Sequence, residues 1–269
     1  RGLGDVYKRQ GTLDPDAEGV LPVCLGKATK VCDLLTDKSK EYETVLLLGK
    51  VTDTQDITGT VLEEKDVKVT EEAVRETVLS FVGDYMQIPP MYSALKVNVK
   101  KLCDLAREGK TVERQARPVK ILTIDILDVT LPRVRMRVHC SKGTYIRTLL
   151  EDIAAAMGQK GTMSALRRTT AGVYTEADAH TLEEIQAAKD AGPEALQALM
   201  LPVESVFESL PLLVVEPRVE QHLYNGCPTS RYPAADGRYR VRNAEGQFLG
   251  LANITGGVLK VEKLFVERN

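Results

Sequence analysis

The chain has 269 residues, 43% of them hydrophobic and 28% charged, with a formal net charge of −2. That balance excludes an intrinsically disordered chain, and the near-neutral total excludes recognition of a polyanion by bulk charge alone. No apolar run approaches the roughly 20 residues that cross a bilayer and the first residues lack the apolar stretch of a secretory signal, so a cytoplasmic protein with no membrane partner is expected.

The opening loop, GTLDPDAEG, places Asp14, Asp16 and Glu18 close together between a basic decapeptide and the apolar run Val20 to Leu25. On its residues alone it reads as a solvated turn, a metal site or the seat of a catalytic acid. EYETVLLLGKV then reads as a strand, and TDTQDITG as a loop whose Asp and Thr side chains bond their own backbone. Thr70 followed by Glu71 and Glu72 marks a helix start; Ala73, Val74, Val78, Phe81 and Val82 form its apolar face, and Gly83 ends it. QIPPMYSALKVNVKKLCDLAREGK begins extended at its prolines and closes in a short amphipathic helix ending near Gly109.

KILTIDILDVTL and RVRMRVHCSKG read as strands. The second alternates, with Val134, Met136, Val138 and Cys140 on one face and Arg135, Arg137 and His139 on the other. In TYIRTLLEDIAAAMG, Ile146, Leu149, Leu150, Ile153, Ala154 and Met157 fall at helical spacing before a stop at Gly158, with Arg147 in the first turn. Thr181 and Glu184 make a capping box, and Gly192-Pro193 separates that helix from EALQALM. From SLPLLVVEP onward the chain turns to short strands, a β-rich module of roughly sixty residues, with a boundary near Leu210. Irregular interleaving of strands and helices predicts an α+β main domain with a mixed or antiparallel sheet.

Gly19 and Gly26 are too far apart for a P-loop, and Ala28 follows Lys27 where Ser or Thr is required. DPDAE and DTQD lack the ligand alternation of a calcium loop. His139, His180 and His222 are isolated and no G-x-S-x-G elbow is present, which leaves acyl-transfer triads without support. The five cysteines, Cys24, Cys32, Cys103, Cys140 and Cys227, are scattered and odd in number. Reduced thiols fit them better than a disulfide framework or zinc site. Charge is locally uneven: Lys96, Lys100, Lys101, Arg107, Lys110, Arg114 and Arg117 cluster within one segment.

Five blocks occur in order between Gly11 and about Tyr174: GTLDPDAEGVLPVCLGKATK, KEYETVLLLGKVTDTQDITG, IPPMYSALKVNVKKLCDLAREGK, CSKGTYIRTLLEDI and ALRRTTAGVY. They resemble the successive signature blocks of the TruB family, bacterial tRNA pseudouridine synthases acting on uridine 55 of the TΨC loop. The tail resembles the small PUA-type RNA-binding module that closes many members. The resemblance implies a pseudouridine synthase domain over residues 11–209, with an RNA-binding insertion at about 88–117, and a PUA-like module over 210–269. It further implies a tRNA TΨC stem-loop as partner, a monomer, and chemistry without cofactor or metal.

Residue by residue, the resemblance puts the nucleophile at Asp14. Tyr42, in the K-x-Y block, would stack on the everted base with its hydroxyl near C5. Arg147 would pair with Asp14 and keep it ionised, and Tyr145 and Leu166 would contact the bound uridine. Lys96, Lys100, Lys101, Arg107, Lys110 and Arg168 would contact RNA. Two positions depart from the pattern: Val99 stands where Gly is usual and Cys103 where Tyr is usual. Losing Gly removes a site that readily takes positive φ, which puts the path of that loop in question.

The family's Lys-Pro-x-G block and its Gly-His before G-T-L-D-P are missing ahead of Gly11. DVYKRQ, residues 5–10, is what GATGTGTATAAGAGACAG encodes, a transposase end sequence used in preparing sequencing libraries. Arg1 to Gln10 is therefore expected to be adapter-derived. Two other functions compete with the isomerase: a catalytically silent tRNA-binding or RNA-chaperone protein on the same fold, and a metal-dependent hydrolase using Asp14, Asp16 and Glu18.

Overall fold

A computed structural model describes residues 7–9, 11–36, 38–97 and 99–266. The chain forms two compact units. One comprises Gly11–Pro22 and Thr36–Ala179; the other joins Val23–Leu35 and the N-terminal strand to the chain from His180 onward.

The first unit is built on a sheet whose strands run, edge to edge, Tyr174–Thr175, Gly161–Ala171, Lys40–Leu48, Arg133–Cys140, Arg117–Thr130 and Gly83–Gln87. All these neighbours are antiparallel, while Glu18–Gly19 joins the Gly161–Ala171 strand in parallel. The α+β reading holds, and the sheet is mixed only through that short parallel pairing. Period-two patterning decides which face is covered. Tyr42, Thr44, Leu46 and Leu48 of the central strand are buried, as are Val134, Met136, Val138 and Cys140 of its neighbour.

Two helices supply the other half of the core. Glu71–Ser80 starts at Thr70, whose hydroxyl accepts from the Ala73 N–H at 3.3 Å, and buries Val74 and Val78. Ile146–Ala156 buries Leu149, Leu150 and Ile153 completely. Each such side chain contributes about 1.5–3 kcal/mol relative to exposure, so this helix is a fixed platform for whatever its first turn carries.

Within residues 88–117, Lys96–Val97 pairs with Lys100–Lys101 and runs into the helix Leu102–Arg107, which is anchored by the buried Leu102. Val99 sits in the turn at φ +77° and is 89% exposed. The backbone takes the left-handed conformation that the absent glycine would have supplied, and a β-branched residue holds it at a cost of order 1–3 kcal/mol.

The second unit centres on the strands Leu212–Val215, Gly237–Asn243, Phe248–Thr255 and Val258–Leu264, the first pair parallel and the rest antiparallel. The helix Pro217–Tyr224 was not anticipated from sequence; its signal was Pro217 at the first helical position, after the apolar LLVV run. This unit also begins earlier than Leu210. Phe207 packs on Phe248 and Phe265 with ring centroids 6.1 and 5.8 Å away, and Glu204 receives Arg240 and Arg242 at 2.7 Å each. Lys263 Nζ donates to the Lys30 carbonyl at 2.6 Å, which ties in the segment Val23–Leu35. That segment pairs antiparallel with Tyr7–Arg9; the rest of the stretch read as adapter, residues 1–6 and 10, lies outside the described residues. Among the described residues no helix is long and apolar enough to cross a membrane.

Candidate active site

The Asp14 loop is held at both ends. Its turn closes with the Ala17 N–H donating to the Asp14 carbonyl at 3.0 Å, and Val20 N–H donates to the Arg168 carbonyl at 2.8 Å. Gly19 lies between at φ +102°, where a Cβ would stand 2.2 Å from the Arg168 carbonyl oxygen. Only glycine permits that approach.

Arg168 is 1% exposed, and its guanidinium donates to the Val20 carbonyl at 2.7 Å and the Gly11 carbonyl at 3.1 Å. This corrects the expectation that Arg168 contacts RNA: a buried guanidinium already bonded to the loop it supports cannot also reach a phosphate. Arg168→Met should lower the unfolding free energy by about 2–4 kcal/mol, since buried carbonyls lose their donors. The salt slope of tRNA binding should not change; a slope reduced by about one unit would return Arg168 to the RNA interface.

Arg147 gathers the site. Its side chain is 6% exposed, and Nε and Nη2 each lie 2.9 Å from an oxygen of Asp14 in a bidentate pair. Nη1 donates to the Thr54 carbonyl at 2.8 Å and Nη2 to the Tyr92 carbonyl at 2.9 Å, while Asp56 Oδ2 is 3.6 Å from Nη1. A planar fork of donors suits this arrangement and an ammonium would not.

Asp56 is the group that sequence reasoning did not single out, although the self-bonding of its loop was anticipated. Its Oδ1 accepts from Thr54 Oγ1 at 2.8 Å, Thr58 N–H at 3.0 Å and Thr58 Oγ1 at 2.6 Å. Gly59 permits this compactness, because a Cβ there would meet Thr54 Oγ1 at 2.3 Å.

Burial raises the pKa of Asp14 above its ordinary value of 3.8, and the neighbouring Asp56 charge raises it further. Arg147 opposes both and offsets only part of the rise. Tyr42 is 8% exposed, and its hydroxyl is pushed up to about 12, mainly by burial, with Cys140 adding and Arg168, its cross-strand partner, opposing. Tyr42 therefore stays a neutral phenol. Tyr145 caps the Arg147 helix, clamped by Gln87, which accepts its N–H at 2.8 Å and donates to its carbonyl at 3.0 Å.

A cleft of about 580 Å³ opens beside Asp14, with Asp56, Thr58, Arg135, Met163 and Leu166 among its walls. Tyr42 and Tyr145 are not among the lining residues, although the Asp14 charge acts on both hydroxyls. Asp16 and Glu18 are exposed and line the same cleft, yet among the described residues no three His, Cys, Asp or Glu side chains come together as metal ligands. Lys96, Lys100, Lys101, Arg107 and Lys110 are exposed on the insertion, away from the cleft wall. Glu108 receives Lys100 at 3.1 Å and Lys110 at 2.8 Å, and these two lysines hold its carboxyl below the usual range.

Comparison with known proteins gives two adjoining family matches. Residues 9–146 match the model described as TruB family pseudouridylate synthase (N terminal domain), and residues 147–208 match the tRNA pseudouridylate synthase B C-terminal domain. The tRNA pseudouridine synthase B of Stutzerimonas stutzeri is 43% identical over 248 residues, covering 91% of this chain and 81% of the relative. That of Ralstonia pickettii is 43% identical over 268 residues, covering 94% and 83%. Among solved structures, a chain of a Cbf5-Nop10-Gar1 complex superposes with a TM-score of 0.72 at 25% identity, covering 97% of this chain and 77% of that one. An H/ACA RNP bound to a substrate RNA containing 2′-deoxyuridine shares the fold with the same TM-score at 23% identity, covering 98% and 77%.

Proposed function

Because this chain belongs to the TruB family and is a pseudouridine synthase, we propose that it isomerises uridine 55 in the TΨC loop of tRNA with Asp14 as nucleophile. The observation that carries this reading is the bidentate Asp14–Arg147 pair beside a cleft of about 580 Å³. That volume is typical of a pocket for one small ligand, here a base and its sugar.

The reaction breaks the C1′–N1 bond, turns the uracil and joins C1′ to C5; the C5 proton leaves and N1 takes one up, so no atom is gained or lost. A carboxylate bonded to C1′ or to C6 of the base divides this exchange into easier steps. Asp14 must be ionised to attack, and Arg147 both aligns it and favours its charged form. The base must first be turned out of the loop, and single-stranded RNA is where that costs least. Tyr42 offers an aromatic face and a neutral hydroxyl, Tyr145 and Leu166 apolar contact. No cofactor is required, since the nucleoside carries its own electrophilic carbons. The enzyme acts as a cytoplasmic monomer.

Incubation with an unmodified tRNA transcript, in the presence of a chelator, should yield pseudouridine at position 55 when mapped at nucleotide resolution. Binding without any pseudouridine would favour the silent RNA-binding alternative, and modification elsewhere would overturn the assigned position.

The exposed lysines of the insertion supply the grip. Replacing Lys100, Lys101 and Lys110 together by glutamine should weaken tRNA binding and flatten its log–log salt dependence by up to about one unit for each phosphate no longer neutralised. An unchanged slope would place the RNA elsewhere.

A further inference from the structure

The loop that presents the Thr54 carbonyl and the Asp56 carboxylate to Arg147 contains a residue whose side chain hydrogen-bonds neither Asp14 nor Arg147. Gln55 adopts φ +65°, a left-handed conformation that disfavours a residue bearing a side chain. Such a conformation persists only where the surroundings over-determine it.

Here they do so on two sides. Thr148 Oγ1 donates to Gln55 Oε1 at 2.8 Å, and Gln55 Nε2 donates to Glu151 Oε2. Both partners lie on the helix Ile146–Ala156, just beyond Arg147. On the backbone side, Met163 N–H donates to the Gln55 carbonyl at 3.0 Å and Ile57 N–H to the Met163 carbonyl at 2.9 Å, fixing the loop to the strand that carries Leu166. The result is a closed circuit. One helix holds Arg147 on its first turn and grips, from the next residue and from one turn later, the amide that sets where Thr54 and Asp56 stand against Arg147. Thr148 is 4% exposed, so its hydroxyl has little water to turn to in place of Gln55.

We infer that Gln55 is a positioning residue for the reaction: its side-chain amide bridges Thr148 and Glu151, and thereby holds the Thr54–Asp56 loop in the register that orients Arg147 on Asp14. The inference rests on the roles proposed above for Asp14 and Arg147.

The test uses single-turnover rates on tRNA, tRNA affinity and thermal melting. Gln55→Gly removes the amide while easing the backbone, so a purely structural role predicts a change in melting temperature alone, with an unchanged rate. The expected result is a rate lowered between tenfold and on the order of 10²-fold, with affinity within about threefold.

A reciprocal exchange supplies the rescue. Gln55→Glu alone sets a carboxylate against Glu151 and should lower the rate similarly. Adding Glu151→Gln restores the bond between positions 55 and 151 with donor and acceptor reversed, leaves Thr148 donating to position 55 and keeps the net charge of the wild type, so it should recover most of the wild-type rate. A wild-type rate in Gln55→Gly, or an exchange no better than Gln55→Glu alone, would overturn the inference. Asp14→Asn serves as the control: if it remains active, the reading of the site fails; if it is inactive while the Gln55 variants are normal, only the role of Gln55 fails.

Discussion

Asp14→Asn is expected to abolish pseudouridine formation, lowering the single-turnover rate by a factor on the order of 10⁴ or more, while tRNA affinity stays within roughly tenfold. The change is nearly isosteric and leaves acceptor capacity toward Arg147, but an amide oxygen does not form the covalent bond that a carboxylate can. Turnover retained at the wild-type rate would remove Asp14 from the mechanism. The wild-type pH profile carries a related expectation. Because burial and Asp56 raise the Asp14 pKa, its ionised fraction is lost at a higher pH than for an ordinary aspartate as pH falls. The acid limb of the rate should therefore lie above 3.8, and Asp56→Asn, which removes the neighbouring like charge, should move that limb to lower pH.

Replacing Arg147 is expected to do comparable damage by two routes. Arg147→Met would leave Asp14 and Asp56 facing each other without their shared cation, and the Thr54 and Tyr92 carbonyls without a donor. Removing one partner of a buried ion pair costs about 3–5 kcal/mol of stability. The rate should fall by on the order of 10³-fold, as Asp14 becomes both misaligned and harder to ionise. Arg147→Lys separates the two routes. It keeps the charge but cannot span Asp14 bidentately while reaching two carbonyls, so most of the stability should return and little of the rate. Near-normal rates in the lysine variant would show that charge alone suffices.

The corrected role of Arg168 follows the same physics. In ALRRTTAGVY, two arginines stand side by side on a strand, so one faces each side of the sheet. Arg167 faces solvent and pairs with Glu176; Arg168 faces inward and bonds the loop ends. The strand puts the two on opposite faces, and nothing local in the sequence said that the inward one would be satisfied by the carbonyls of Gly11 and Val20. The unit boundary was misplaced for a similar reason. Phe207 and Glu204 belong to a loop by their neighbours in sequence, yet their partners, Phe248, Phe265, Arg240 and Arg242, lie well beyond Leu210.

What the sequence determined by itself were the features encoded in short-range spacing. The alternation from Val134 to Cys140, the helical spacing from Ile146 to Ala154, the caps at Thr70 and Thr181, and the ordered blocks carrying Asp14 and Arg147 all depend on neighbours within a few residues, where chain geometry fixes the period. Tertiary structure decided the environments of the charged groups. Asp14 and Arg147 meet across 133 positions, and Thr54 and Tyr92 reach the same guanidinium across 93 and 55. Whether Arg147 would be a solvated side chain or a buried fork, whether Asp56 would join Asp14, and whether Arg168 would face RNA or the loop depended on which distant backbone groups lacked a partner once the sheet had closed. A local pattern records which face of an element is apolar; only the assembled fold determines which donors and acceptors are left for a charge to satisfy.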